Sequence, residues 1–130
     1  GIDMSVHTPH TMDELIANSP DLILRLVKGM VEAVVFIQEP RNKRDVMAVL
    51  KKHLRLSADQ DAETSYNSLR LVSTLDVAPD PEAWRNIQRF VSRANPKVAQ
   101  LDIHQIINGS FVKALEETGL LPEARKKLGL

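Results

Sequence analysis

The stretch NSPDLILRLVKGMVEAVVFIQEP, residues 18–40, decides the fold of this chain. Ser19 is a residue type that caps helix N-termini, and Pro20 follows at the position that favours proline in a first helical turn. Pro40 cannot continue a helix, because its ring removes a backbone donor and clashes with the preceding turn. The stretch therefore predicts one helix over residues 20–38.

The charged residues of this helix occupy a narrow part of its circumference. At about 100° per residue they fall within a sector about 60° wide, and nearly everything else is apolar. A surface helix needs an apolar stripe only a little wider than about 100°. We therefore expect a nearly fully buried central helix, covered on about three sides. The charged residues are Asp21, Arg25, Lys28, Glu32 and Glu39.

The same charges exclude a membrane-spanning role for residues 20–38. Each charged side chain at the centre of a bilayer would cost about 2.5 to 3.5 kcal/mol. Asp21 with Arg25, and Lys28 with Glu32, are instead spaced as i,i+4 pairs, each worth about 0.2 to 0.5 kcal/mol. We interpret them as the solvated edge of a buried helix, with no functional role.

Helical patterns also cover the chain around this helix, and no segment alternates apolar and polar residues as a strand would. Capping boxes at residues 11–14 and 57–60 predict two helix starts, the first helix reaching about Ala17. Asn42 is placed to cap a helix over residues 43–55. The apolar faces of the second and third long helices are Val46, Met47, Val49, Leu50 and Leu54, and Ala62, Tyr66, Leu69 and Val72.

The C-terminal half repeats these signals after a loop over residues 73–80. Asp80 followed by Pro81 predicts a helix that Pro96 ends, with the apolar stripe Trp84, Ile87, Phe90, Val91 and Ala94. Short helical elements are then expected near Asp102 and as a final turn over residues 122–128. Between them, Ser110 is placed to cap a helix that a left-handed Gly119 ends. The fold class expected is all-α: one domain, residues 11–130, of about five main helices around residues 20–38.

Composition narrows the possible functions. A chain of 130 residues buries about two-thirds of its unfolded surface and forms one core. Seventeen basic residues balance seventeen acidic ones, so no overall field favours nucleic acid or an anionic membrane. The absence of cysteine excludes disulfides, cysteine nucleophiles and thiolate metal sites. Residues 1–10 are expected to be flexible, and the Gly1–Asp3 segment before Met4 resembles an expression scar, which intact-mass comparison with the native gene product would test.

Histidines give the only candidate chemistry. His7 and His10 with Asp13 and Glu14 offer metal-ligand types, but Pro9 interrupts them and no second cluster completes a coordination shell. His53 falls on the apolar face of its helix and is interpreted as a partly buried, hydrogen-bonded residue. His104 lies in a polar stretch, and no catalytic or nucleotide-binding motif occurs. We predict no enzyme activity, no metal site and no cofactor.

Residues 41–55 form the most basic segment, which is open to two interpretations. It can be a helix that contacts phosphates, or the solvated face of an amphipathic helix, and the neutral balance of the chain favours the second. The basic residues are Arg41, Lys43, Arg44, Lys51, Lys52 and Arg55.

Read in order, three stretches resemble the solute-binding proteins of bacterial ABC importers, in the branch for nitrate, sulfonate, taurine and thiamine-pyrimidine precursors. Residues 18–40 are similar to a helix of the C-terminal part of that family, and residues 42–66 to the two helices that follow it. "PDPEAWRNIQRFV" and "INGSFVKALEETG" match the family's proline-marked helix and closing helix. The match runs from about Glu14 to Gly119.

The resemblance implies the helical last part of a periplasmic importer component, with an ABC permease as partner of the parent protein. A whole member of that family has two α/β lobes, and the N-terminal lobe and the strands of both sheets have no counterpart in the chain. No ligand-binding residue is therefore transferred, and a complete ligand cleft is not expected. The alternative is a free-standing helical module for protein–protein interaction, a homo-oligomer joined through apolar helix surface. That alternative places the chain in the cytoplasm.

Overall fold

The computed structural model describes residues 9–75 and 77–130. This part of the chain contains eight α-helices, two short 3-10 helices and no strand, which confirms the all-α prediction. The 3-10 helices are Pro40–Asn42 and Pro96–Gln100. The α-helices are α1 (Asp13–Asn18), α2 (Pro20–Gln38), α3 (Lys43–Leu54), α4 (Asp59–Val72), α5 (Pro81–Val91), α6 (Ile103–Ile106), α7 (Ser110–Glu117) and α8 (Leu120–Leu128).

Most of the proline and glycine signals place their elements correctly, but the prediction that α5 runs to Pro96 is wrong, because α5 ends at Val91 and a turn follows. Helix α2 begins and ends at the predicted residues. Asp80 caps α5, accepting hydrogen bonds from the main-chain N–H of Glu82 at 2.9 Å and of Ala83 at 3.3 Å. Gly119 has φ 81°, the left-handed conformation predicted for the end of α7.

Both capping-box predictions are wrong by one residue. The residues that precede α1 and α4 are Met12 and Ala58, and neither makes a side-chain capping hydrogen bond, so neither Thr11 nor Ser57 is the cap. Ser110 is also not a cap, because it is the first residue of α7 and Asn108 Oδ1 accepts its N–H at 3.0 Å.

The largest buried cluster joins α2, α7, α8 and the loop before α5. Val31 and Leu121 are 1% and 0% exposed. Leu75 comes from the loop over residues 73–80, and Leu115 and Ala124 complete the cluster. Helix α8, predicted only as a final turn, therefore forms part of the main core.

Helices α3 and α4 form an antiparallel pair with a smaller core of Val46, Ala62 and Tyr66. Gln38, at the end of α2, ties this pair to the rest of the molecule. Its Nε2 donates to the main-chain carbonyls of Arg70 at 2.7 Å and Ser73 at 2.6 Å. These carbonyls lie at the C-terminal end of α4, where a helix leaves its last acceptors without intrahelical donors.

Helices α5 and α6 pack with the second 3-10 helix. Ala83 and Ile103 are buried there, and Gln88 Nε2 donates to the carbonyls of Val98 at 2.9 Å and Leu101 at 2.7 Å. The His10 ring meets Trp84 edge-on, with the centroids 5.7 Å apart.

The prediction that α2 is nearly fully buried is wrong. Helix α2 is central in its contacts, since α1, α4, α7 and α8 all touch it. Yet only Ile23 and Val31 of its nineteen residues are buried. The reason is that α7 and α8 both pack on one side of α2, so the opposite apolar side is left in solvent.

The exposed surface of the whole molecule is large for its size. The 130 residues expose 9599 Å², whereas a folded monomer of 14.6 kDa exposes about 6,900 Å². The difference is about 2,700 Å². Among the described residues, large apolar side chains that a closed core would bury are exposed, including Leu22, Leu26 and Phe36.

Candidate interaction surface

The exposed side of α2 carries five small or apolar residues at alternating spacings of four and three. We call this set the α2 seam. Leu22 and Leu26 are 48% and 52% exposed, although each would be expected in a core. The spacing is that of the apolar positions of a coiled coil, which face a partner helix along their whole length. The seam consists of Leu22, Leu26, Gly29, Ala33 and Phe36.

Different residue types flank the seam on its two sides. On the side toward the body of the molecule lie Ile23, Met30 and Ile37, of which Ile23 is buried. On the other side lie charged residues in the heptad positions that coiled coils use to choose partner and orientation. These charged residues are Arg25, Glu32 and Glu39.

The predicted ion pairs of α2 are present only in part. Lys28 Nζ lies 3.8 Å from Glu32 Oε1, as the i,i+4 spacing predicts. Arg25 Nε instead donates to the main-chain carbonyl of Asp21 at 3.4 Å. Both contacts lie at the surface, where such interactions contribute little to stability.

Glu39, at the end of the flank, pairs with Arg41 of the following 3-10 helix. Arg41 Nη2 donates to Glu39 Oε2 at 2.9 Å. This hydrogen bond lowers the pKa of the Glu39 carboxyl and raises the pKa of the Arg41 guanidinium. Glu39 is therefore ionised across the neutral range and already has a partner within the chain.

An open groove of about 760 Å³ lies between the second half of α2 and α8. Its floor is apolar, and its rim carries three cationic and three carboxylate side chains. With the two signs balanced, the rim gives no preference for an anion. The floor is Val31, Val35, Phe36 (shared with the α2 seam), Leu120, Ala124 and Leu128, and the rim is Lys28, Arg41, Lys127, Glu32, Glu39, Glu123 and the uncharged Asn42.

The candidate metal cluster is not assembled among the described residues. His7 lies outside residues 9–75 and 77–130, and the His10 ring contacts Trp84. Within that described part, no group of three or more histidine or acidic side chains is placed to hold a metal ion. Asp13 and Glu14 lie in the exposed first turn of α1.

The other two histidines, His53 and His104, both lie at the surface. His53 is exposed, so the prediction that it is partly buried is wrong. It lies in the last turn of α3. His104 Nε2 lies 3.1 Å from Arg85 Nη2 at the surface.

The basic segment over residues 41–55 is largely neutralised by neighbouring carboxylates. Lys43 pairs with Glu63 of α4, and Lys51 Nζ lies 2.7 Å from Asp59 Oδ1 at the start of α4. Arg41 pairs with Glu39, and Arg44 lies 3.8 Å from Asp45. These pairs reduce the positive charge that phosphates would meet.

Lys43 also lies near an aromatic ring. Its Nζ is 5.7 Å from the ring centroid of Tyr66, and Arg70 lies 5.8 Å from the same centroid. Cation–π contacts of this kind help to fix long cationic side chains on an aromatic face. Part of the basic face of α3 therefore holds α3 and α4 together.

Sequence reasoning missed the α2 seam as a functional surface, because it assigned those residues to the core. The four-three spacing alone does not identify them, because the core-facing residues Leu24, Val27, Val31 and Val34 are spaced in the same way. Their exposure in the structure is what distinguishes them. None of the helices in the described ranges is both long and apolar enough to cross a bilayer.

Comparisons with protein-family models, with curated proteins and with solved structures find no match to this chain.

Proposed function

We propose that this protein is a non-catalytic helical module that binds a helix of another polypeptide through the α2 seam. The observation that supports the proposal is the half exposure of Leu22, Leu26 and Phe36 in one heptad series. Apolar residues scattered singly over a surface need no explanation, but a contiguous apolar strip marks an interaction site.

The strip has the form expected of a helix-binding surface. An amphipathic helix presents residues at i, i+3, i+4 and i+7, and α2 offers the matching series over most of its length. Fully burying a leucine side chain contributes about 1.5 to 3 kcal/mol, so completing the burial of Leu22 and Leu26 would add about half of that for each. The exposed flank of Arg25 and Glu32 would then set partner and orientation.

The proposal is tested by site-specific photo-crosslinking in the native host. A photoreactive amino acid replaces Leu22 in the seam, and a control protein carries it at Leu71, which is 82% exposed on α4 and outside the seam. We expect a discrete protein adduct from position 22 and none above background from position 71. Equal adduct formation at the two positions would contradict the proposal.

The solute-binding role stays a separate prediction, together with its periplasmic location and its permease partner. Each stretch of the resemblance is helical, as this role requires. Amphipathic helices of an interaction module would form in the same way, so the observation favours neither role. A thermal-shift series with nitrate, taurine and other sulfonates tests it: a ligand-dependent rise in Tm would support binding, and its absence at millimolar ligand would count against it.

A further inference from the structure

Resting on the proposed function, we infer that the occupant of the α2 seam is α2 of a second copy of this chain. The two helices run antiparallel about a twofold axis near Lys28, and Arg25 of each copy faces Glu32 of the other. Three features of α2 support this arrangement: its charge order, the placement of large residues before small ones in the first four positions of the seam, and its central glycine.

The charge order fits an antiparallel pair. In antiparallel coiled coils the same flank of each helix meets its own copy, running in the opposite direction. The exposed flank of α2 carries Arg25 one heptad before Glu32. A twofold axis midway between these residues therefore creates two identical pairs of opposite charge.

The seam is also self-complementary in size. Antiparallel packing about an axis near Lys28 sets Leu26 against Gly29 of the other copy and Leu22 against Ala33. Each layer then joins one large and one small residue, so the side chains fill the space without colliding. The axis that suits these layers and the axis that suits the charge pairs differ by one residue, or about 1.5 Å along the helix, which a long arginine side chain spans.

Gly29 has no explanation within a single chain. A Cβ added at Gly29 would meet no atom within 4 Å, although glycine in a helix interior costs about 1 kcal/mol relative to alanine. In the antiparallel pair this open space receives Leu26 of the second copy. Glycine is the residue that permits such a close approach.

Arg25 and Glu32 are free to change partners. The contact of Arg25 with the carbonyl of Asp21 is long, at 3.4 Å, and the 3.8 Å contact of Glu32 with Lys28 is exposed. A parallel pair would instead place Arg25 beside Met30, which offers no carboxylate. The charges therefore distinguish the antiparallel arrangement from the parallel one.

The test is sedimentation equilibrium of the purified full chain, using two charge reversals. Arg25→Glu sets two carboxylates against each other at both symmetry-related pairs of the dimer, and Glu32→Arg sets two guanidinium groups together there. Losing two favourable pairs and adding two repulsive ones weakens association by about tenfold. Mixed in equal amounts, the two variants form a heterodimer with both pairs opposite in charge, and association returns to the wild-type level.

The control is Arg44→Glu. It makes the same change in net charge as Arg25→Glu, at a side chain that is 97% exposed on α3. It should leave association unchanged. Rescue on mixing also excludes misfolding, since two misfolded variants would not restore each other.

Two results would overturn the inference: a wild-type chain that stays monomeric at all concentrations, or single variants that mixing does not rescue. Neither result decides the proposed function. If position 22 crosslinks to a different protein, the chain is still an interaction module, but the occupant of the α2 seam is not a second copy.

Discussion

At the residue scale, charged side chains of α3 and α4 bring the two helices together at both ends of α3. Lys43 pairs with Glu63, and Lys51 with Asp59. The sequence indicated that α3 carries a basic face, but the acidic residues that meet it are up to twenty residues away along the chain. Their pairing depends on the turn between α3 and α4, in which Arg55 has φ 56°, and a local pattern does not reveal that.

The pair of Lys51 and Asp59 gives the first prediction. The hydrogen bond from Lys51 lowers the pKa of the Asp59 carboxyl below its ordinary value. A lowered folded-state pKa contributes stability above the unfolded value of about 3.9, and this contribution is lost as the pH falls through the folded value. Lys51→Met should raise the pKa of Asp59, measured by NMR titration of the side-chain carboxyl carbon.

Lys52→Met serves as the control for that titration. Lys52 is the exposed neighbour of Lys51 on α3, and its loss should leave the Asp59 titration in place. An Asp59 pKa that does not move when Lys51 is replaced would show that the pair does not form in solution.

At the scale of the element, local signals predicted where α2 begins and ends but not what covers it. Pro20 and Pro40 act on the backbone of their own turns, so the bounds of α2 are visible in the sequence. The apolar pattern around α2 shows which residues favour burial. It does not show which neighbouring helix is long enough to cover them. The length of α8 and its role in the core were underestimated for a related reason. Leu121, Ala124 and Leu128 can be recognised as core residues only when their packing against α2 and α7 is known.

The role of α8 in the core gives a second prediction. Leu121 is fully buried, so Leu121→Ala should lower the free energy of unfolding by about 2 to 5 kcal/mol, through lost transfer energy and the cavity left behind. Leu71→Ala removes the same atoms from a side chain that is 82% exposed and should change stability by less than about 0.5 kcal/mol. Urea denaturation of both variants at one protein concentration measures the difference.

Similar losses for the two leucine variants would contradict the core assignment. They would mean that α8 is detached from α2 and α7 in solution. A single protein concentration matters because association would add its own contribution to the apparent stability.

At the scale of the whole molecule, the surface left open by one-sided packing is the feature that links fold to function. The chain exposes far more area than its mass requires, and the α2 seam arranges part of that area in a heptad series. The all-α class could be predicted from periodicity and from the helix-ending residues alone. The seam could not be recognised in that way, because a core face and a partner-facing strip have the same apolar composition.

Association through the α2 seam is tested most directly by sedimentation equilibrium of two lysine variants beside the wild-type chain. Leu26→Lys places a charge in the centre of the seam, and Leu71→Lys places the same charge on an apolar residue outside it. If the α2 seam is the interface, Leu26→Lys sediments as a 14.6 kDa monomer, while Leu71→Lys keeps the wild-type dimer. A Leu26→Lys variant that associates as the wild type does would contradict the claim that the α2 seam is the interface.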